Sequence, residues 1–216
     1  VGVTDSFMRA LARRRTYTLI NPHTDKPTRR LPAQLVFNRL VEAAWASGEP
    51  GLVFLDTINR ANPTPRLGTI ESTNPCGEQP LLAYESCTLG SINVANFITQ
   101  TAVGPAIDFA RLAGAISLAV RFLDNVIDRN RFPLPQIDQM TKQTRKIGLG
   151  IMGFADLLIT LNIPYNSEAA LLTATTLMEF FQSRAHMASA ELAYERGTFP
   201  AYRGSQLQPL HRRQRN

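Results

Sequence analysis

Short apolar runs alternate along this chain with long stretches of helical periodicity, and that alternation limits the fold more than any other feature. Gly51-Leu52-Val53-Phe54-Leu55 is an apolar run bounded by turn signals and reads as a buried strand. Thr88 to Val94 reads the same way. Ala33 to Ser47 is a helix, with Val36, Leu40, Ala43, Ala44 and Ser47 at helical spacing, Trp45 in the core and Gly48 as the stop. Ala106 to Asp128 aligns Leu112, Ile116, Ala119, Val120, Leu123, Val126 and Ile127 in one stripe. Gln136 to Lys146 is a shorter helix with basic residues near its C-terminus, where the helix dipole favours them. Phe154 to Leu161 is another. The last helix, capped by Asn166 or Ser167, runs to Arg196 and buries Leu171, Ala174, Met178, Phe181, Ala185, Ala188 and Leu192. Strands and helices alternating in this way indicate an α/β fold with parallel strand pairing.

Smaller features fill the gaps. Thr4 or Asp5 caps a helix through Arg13 with Phe7, Met8 and Leu11 on one face. Tyr17 to Ile20 is a short strand, followed by turns at Asn21-Pro22 and Asp25-Lys26-Pro27. His23 lies in that turn with no Cys or His near it, and faces solvent. Residues 56–75 form a long polar connection broken by proline, and such loops are usually functional or disordered. Thr101 to Pro105 is a break. Ile147 to Gly153 has glycines at phosphate-loop spacing but no following Lys-Ser/Thr, so it reads as a glycine-rich strand packed on a helix. Arg121, Asp124, Asn125 and Asp128 form a solvated helix face. With no His or further acid converging on the two aspartates, no metal site is assigned. His186 reads as structural.

The 216 residues are 44% hydrophobic and 19% charged, ordinary for a soluble globular protein with a sizeable core. No apolar run is long enough to cross a bilayer. Arg13, Arg14 and Arg15 follow the early apolar stretch rather than precede it, unlike a signal peptide. Two cysteines do not make a disulfide framework, which points to a reducing, cytoplasmic setting. Of the net charge of +6, Arg203, Arg212, Arg213 and Arg215 supply four, leaving +2 for residues 1–202. The basic end reads as a solvated, disordered segment, the alternative being a nucleic-acid contact.

Both cysteines fall within Ser72 to Asn93, in STNPCGEQPLLAYESCTLGSIN. Asn74, Cys76 and Glu78 alternate, and in an extended segment an amide, a thiol and a carboxylate would then face one small volume. Pro75 biases the backbone before it toward extended geometry and Gly77 permits a tight loop. A free cysteine is most often a small buried hydrophobe. Here, however, the only two thiols share one loop-rich segment, where sites concentrate.

Asn74-Pro75-Cys76-Gly77-Glu78 followed by Cys87-Thr88-Leu89-Gly90-Ser91-Ile92-Asn93 resembles the active-site segment of the ribonucleotide reductase catalytic subunit. The close run GEQPLLAYESC resembles the adenosylcobalamin-dependent class, because the cysteines of the iron-dependent class are usually further apart. Phe54 to Pro63, Arg121 to Asp128 and Ile147 to Asp156 are similar to family segments on either side of the site. The likeness covers residues 1–205.

The resemblance implies about half of a ten-stranded α/β barrel, with Cys76 on a finger loop. It implies that Cys76 becomes a thiyl radical, that Glu78 is a general base and that Asn74 holds the ribose hydroxyls. Asn74, Pro75, Cys76, Gly77 and Glu78 would together bind the substrate, a ribonucleotide. Cys87 would be one of two reducing thiols, reset by an external, thioredoxin-like dithiol. Adenosylcobalamin would be the cofactor, and the complete protein a homo-oligomer with no membrane contact. The family's upstream reducing cysteine, downstream phosphate loop and C-terminal cysteine pair have no counterpart here. The expectation is therefore an internal fragment, inactive alone and needing the remainder of its polypeptide. Residues 206–216 would be a basic, disordered or truncated end. A non-enzymatic remnant binding nucleic acid through that end, and the large subunit of an iron-dependent reductase, are the alternatives.

Overall fold

The structure is a computed structural model in which residues 1–208 are described. Arg212, Arg213 and Arg215 of the basic end lie outside the described residues, as does most of the 206–216 segment. The chain divides into two compact units, Val1–Ala83 together with residues 204–208, and residues 84–203.

In the first unit, β1 (Gly2–Val3) pairs in parallel with β4 (Val53–Phe54), on either side of α1 (Asp5–Ala12), β2 (Thr16–Ile20), β3 (Pro27–Pro32) and α2 (Ala33–Ser47). Thr4 caps α1 by accepting the Phe7 amide. Phe7 then meets Tyr17 edge to face, with ring centres 5.1 Å apart, in a small core with Val3 and Ala33. β2 and β3 form an antiparallel hairpin. The sequence signalled the turn and not its returning strand, because Pro27 and Pro32 at the strand ends mask it. Trp45 stands 90% exposed instead of buried. The inward face of α2 runs through Ala33, Val36, Phe37, Leu40 and Ala44, and Trp45 lies about 100° round from Ala44. The polar connection is partly helical, since α3 (Leu55–Arg60) opens it, and β5 (Ser72–Thr73) and β6 (Pro80–Leu81) follow.

In the second unit, β7 (Thr88–Asn93) and β10 (Ile147–Met152) pair in parallel, Thr88 opposite Ile147 through Asn93 opposite Met152. Between them run a hairpin of β8 (Ile98–Thr101) and β9 (Gly104–Ile107), then α4 (Phe109–Arg129) and α5 (Pro135–Thr144). The hairpin occupies the stretch expected to be a break. α6 (Phe154–Thr160) and α7 (Glu168–Arg196) complete the unit. The expected α4 stripe is buried at Leu112, Ile116, Val120, Leu123 and Ile127, and the first three share a core with Leu177, Phe181 and Leu192 of α7. Gly90 lets β7 lie on Leu123, whose nearest atom would be 3.4 Å from an added Cβ. Gly153, at φ +73°, is a position where a side chain would be strained, and an added Cβ would displace the Asn93 side chain.

α7 corrects the expected stripe. Its buried residues are Ala170, Leu177, Phe181, Ala188 and Leu192, an 11-residue repeat (170 to 181, 177 to 188, 181 to 192). The expected residues alternate by three and four, a heptad spacing that drifts on a straight helix by about 20° per heptad. They match at Phe181, Ala188 and Leu192, whereas Leu171 is 63% exposed and Met178 is 39% exposed.

The architecture is thus mixed α/β; β1–β4 and β7–β10 pair in parallel as expected, whereas β2–β3, β5–β6 and β8–β9 are antiparallel. Among the described residues the strands pair two by two and no barrel closes. No helix is long and apolar enough to cross a membrane.

Candidate active site

β5 and β6 make a short antiparallel ladder, and residues 74–79 close it. The Asn74 amide donates to the Gln79 carbonyl at 3.1 Å, and the Gly77 amide to the Asn74 carbonyl at 3.0 Å. Pro75 and Cys76 are therefore the central pair of a β-turn, with Pro at its favoured position. Gly77 follows at φ +89°, a conformation that other residues adopt at a cost. The Asn74 Oδ1 accepts the Gln79 amide at 2.9 Å and ties the two ends of the loop together.

This turn replaces the extended segment expected from alternation. Period two requires extended backbone, and the 74-to-77 hydrogen bond folds it. Asn74, Pro75, Cys76, Gly77 and Glu78 are gathered by the turn itself. Asn74 is half-buried at its base, and Cys76 and Glu78 are exposed. Because Oδ1 accepts the Gln79 amide, the Asn74 Nδ2 is left as a donor with no protein acceptor among the described residues.

The approach to the turn is fixed by side-chain amides in the proline-broken loop, which sequence reasoning does not single out. The Asn59 side chain spans Ile70, donating from Nδ2 to its carbonyl at 2.9 Å and accepting its amide at Oδ1 at 2.8 Å. Asn62, 2% exposed, donates to the Gly68 carbonyl and accepts the Thr64 amide. Two asparagines three residues apart in such a loop were the available signal, since a carboxamide can bond both backbone groups of one residue.

Cys87 belongs to the second unit, immediately before β7. It is a half-buried, reduced thiol whose Sγ donates to the Thr88 carbonyl at 3.8 Å. Glu85, with its side chain fully buried, pairs with Lys146 Nζ at 2.7 Å. Ser86 Oγ and Thr141 Oγ1 are 2.7 Å apart. No periodic pattern marks Glu85 or Lys146, and sequence reasoning misses both.

The expected solvated face of α4 is an ion-pair network. Arg145 reaches Asp124 at 2.8 Å and Asp128 at 2.7 Å, and Arg196 reaches Asp124 at 2.7 Å. Arg121 pairs with Glu195. The hydrogen bond from Arg145 holds the Asp128 carboxyl below its ordinary value, against the opposing effect of partial burial. The same bond raises Arg145. Arg145 sits at φ +46° as the C-cap of α5, a strained position for a non-glycine residue that its five-donor fork offsets. Asp124, Asp128, Arg145 and Arg196 border a 380 Å³ cavity that also contacts Ser189, Thr198 and Phe199. Both arginines there are neutralised by carboxylates, so the cavity has no charge left over for an anion. Among the described residues, no group of three or more His, Cys, Asp and Glu is placed to hold a metal ion.

A family profile described as "Ribonucleotide reductase, barrel domain" matches residues 1–212. The chain belongs to the ribonucleotide reductase barrel-domain family. It is 54% identical over 207 residues to a Mycobacterium tuberculosis protein named "Vitamin B12-dependent ribonucleoside-diphosphate reductase", covering 96% of this chain and 29% of that protein. A Thermoplasma acidophilum protein of the same name is 50% identical over 216 residues, all of this chain and 28% of that protein. A Chlamydia pneumoniae protein named "Ribonucleoside-diphosphate reductase subunit alpha" is 35% identical over 181 residues, 82% of this chain and 17% of that protein. The chain thus spans under a third of the length of these reductases.

Proposed function

We propose that this chain is the radical-site segment of an adenosylcobalamin-dependent ribonucleotide reductase, and that the complete polypeptide reduces ribonucleotides to 2′-deoxyribonucleotides. The observation that carries the reading is the 74–79 turn, which presents an exposed thiol between an amide donor and a carboxylate. The names of the Mycobacterium and Thermoplasma relatives favour cobalamin, and a ribonucleoside diphosphate as substrate. Residues 1–205 would form about half of the ten-stranded barrel, with the turn as its finger loop. The remainder of the polypeptide would supply the other strands, and complete chains would assemble as a homo-oligomer. Reduced thiols suit a cytoplasmic setting.

The chemistry needs a radical because the ribose 2′ hydroxyl leaves poorly and the neighbouring carbon is not acidic. Cys76 is exposed at the tip of its turn, so a cofactor held by other parts of the protein can reach it. Adenosylcobalamin, when bound, supplies the radical. As a thiyl radical, Cys76 takes the ribose 3′ hydrogen atom and returns it at the end of the cycle. Glu78 accepts the 3′ hydroxyl proton. Asn74 donates from Nδ2 to a ribose hydroxyl oxygen, its Oδ1 being occupied by Gln79. The 2′ hydroxyl leaves as water. Two thiols, Cys87 and one outside this chain, give up two electrons and two protons, one proton leaving in that water and one hydrogen ending on the 2′ carbon, and become a disulfide. An external, thioredoxin-like dithiol resets it by exchange.

The test is deoxyribonucleotide formation by the complete polypeptide with adenosylcobalamin and a dithiol. Turnover is expected there, is lost in Cys76→Ser, and is absent from the 216-residue chain alone. Turnover that needs an iron-loaded partner and no cobalamin would favour the iron-dependent alternative.

A further inference from the structure

The residues on both sides of Cys87 are fastened to one short segment, 141–147. Two residues before the thiol, the buried Glu85 carboxylate meets Lys146 Nζ at 2.7 Å. One residue before it, Ser86 Oγ meets Thr141 Oγ1 at 2.7 Å, and Thr141 is 0% exposed. One residue after it, the Thr88 amide donates to the Lys146 carbonyl at 3.4 Å, and the β7–β10 ladder begins. The anchoring segment is held in turn. Arg145, next to Lys146, forks onto Asp124 and Asp128 of α4, whose Leu123 packs beneath Gly90 of β7. A buried ion pair is not required for stability, because apolar side chains of similar volume often serve as well. What charge and hydroxyl pairs add over apolar packing is direction.

We propose that Lys146 and Glu85, seconded by Thr141 and Ser86, are positioning residues for the Cys87 thiol. The inference rests on the reading of Cys87 as a reducing thiol and deepens it. Disulfide formation demands Cβ atoms about 3.5–4.5 Å apart and a torsion near 90°. A thiol on a frayed strand end meets that geometry rarely. Clasped at the residues before and after it, Cys87 is presented to its partner sulfur in one orientation, which raises the effective concentration of the pair. Lys146 and Glu85 touch neither substrate nor cofactor in this account. They act only through Cys87.

The experiment measures the alkylation rate of Cys87 by iodoacetamide in the complete polypeptide carrying Cys76→Ser, read from the mass of the peptide that contains Cys87. Glu85→Leu with Lys146→Met removes both charges and keeps the volume. The expected result is a thermal midpoint close to the parent and a Cys87 rate raised about fivefold or more, as the strand end loosens. A merely structural pair, replaced by apolar packing, would leave both quantities unchanged, so a parent-like rate at a parent-like midpoint overturns the proposal. If that variant fails to fold, Ser86→Ala with Thr141→Val decides instead. A rise of about twofold or more supports the proposal and an unchanged rate overturns it. In the complete reductase, the folded clasp variants lower kcat with a dithiol and leave the KM for ribonucleotide unchanged. Failure of the parent reading looks different: Cys87→Ser would then keep dithiol-driven turnover, while the alkylation result would stand.

Discussion

The turn that carries Cys76 and the strand end that carries Cys87 are stabilised in different ways. The turn depends on hydrogen bonds that nearly all involve asparagine. Asn74 ties its ends, and Asn59 and Asn62 hold the chain that leads to it. Residues 75–78 of the turn are exposed, the thiol among them, and the buried apolar residues, Ile70 and Leu82, lie outside it. The Cys87 strand lies in a parallel ladder over a core of Leu112, Ile116, Val120 and Phe181, with a buried ion pair beside it. In the proposed roles, a thiol that reaches substrate and cofactor is suited by a light, exposed support, and a thiol that meets another sulfur in fixed geometry by a rigid one.

The largest expected effect is on the rigid side. Lys146→Met leaves Glu85 without its cationic partner, and breaking a buried pair costs about 3 kcal/mol or more. Urea denaturation followed by helix signal should show it. A loss below about 1 kcal/mol would place this pair with ordinary surface pairs and remove the contrast. On the lighter side, Asn59→Ala removes both hydrogen bonds to Ile70 and should cost about 2 kcal/mol. Amide exchange should localise the change to residues near Ile70 and leave β7 protected. Exchange rising equally in both units would break the comparison.

The smallest effect is electrostatic. The folded Asp128 carboxyl lies below its ordinary value of 3.8 through its bond to Arg145. Its contribution is therefore complete above that value and is lost as pH falls below it, through the lower folded value. The raised Arg145 stays protonated throughout and adds no pH dependence in this range. Asp128→Asn should flatten the acid limb of the urea midpoint slightly, since the carboxylate side chain is 52% exposed and screened by solvent. An unchanged acid limb would assign it to other carboxylates.

Much of this was legible in the sequence, and what was missed has physical causes. α2 is readable with the bounds the structure gives, because its periodicity holds throughout and Gly48, left-handed at φ +80°, stops it. The stripe of α4 is readable because its apolar residues keep to one face. α7 misleads because apolar residues surround it, and a heptad fits its sequence almost as well as the 11-residue repeat that is buried. Trp45 misleads because size is not direction. The residues of the turn were legible and its geometry was not. Alternation in Asn74, Cys76 and Glu78 suggested extended backbone, whereas Pro75 and Gly77 marked a turn and prevailed. The clasp of Glu85 and Lys146 leaves no local trace, because it joins positions distant in sequence that only strand pairing brings together.

The central claim is that two thiols on two supports have two tasks. The complete reductase, given a ribonucleotide tritiated at the 3′ carbon with cobalamin and a dithiol, tests it most directly through tritium release to water. The account predicts that Cys76→Ser reduces release to background. Cys87→Ser should still release tritium while net dithiol-driven reduction stops. Release that survives in Cys76→Ser, or an identical loss in both variants, would contradict it.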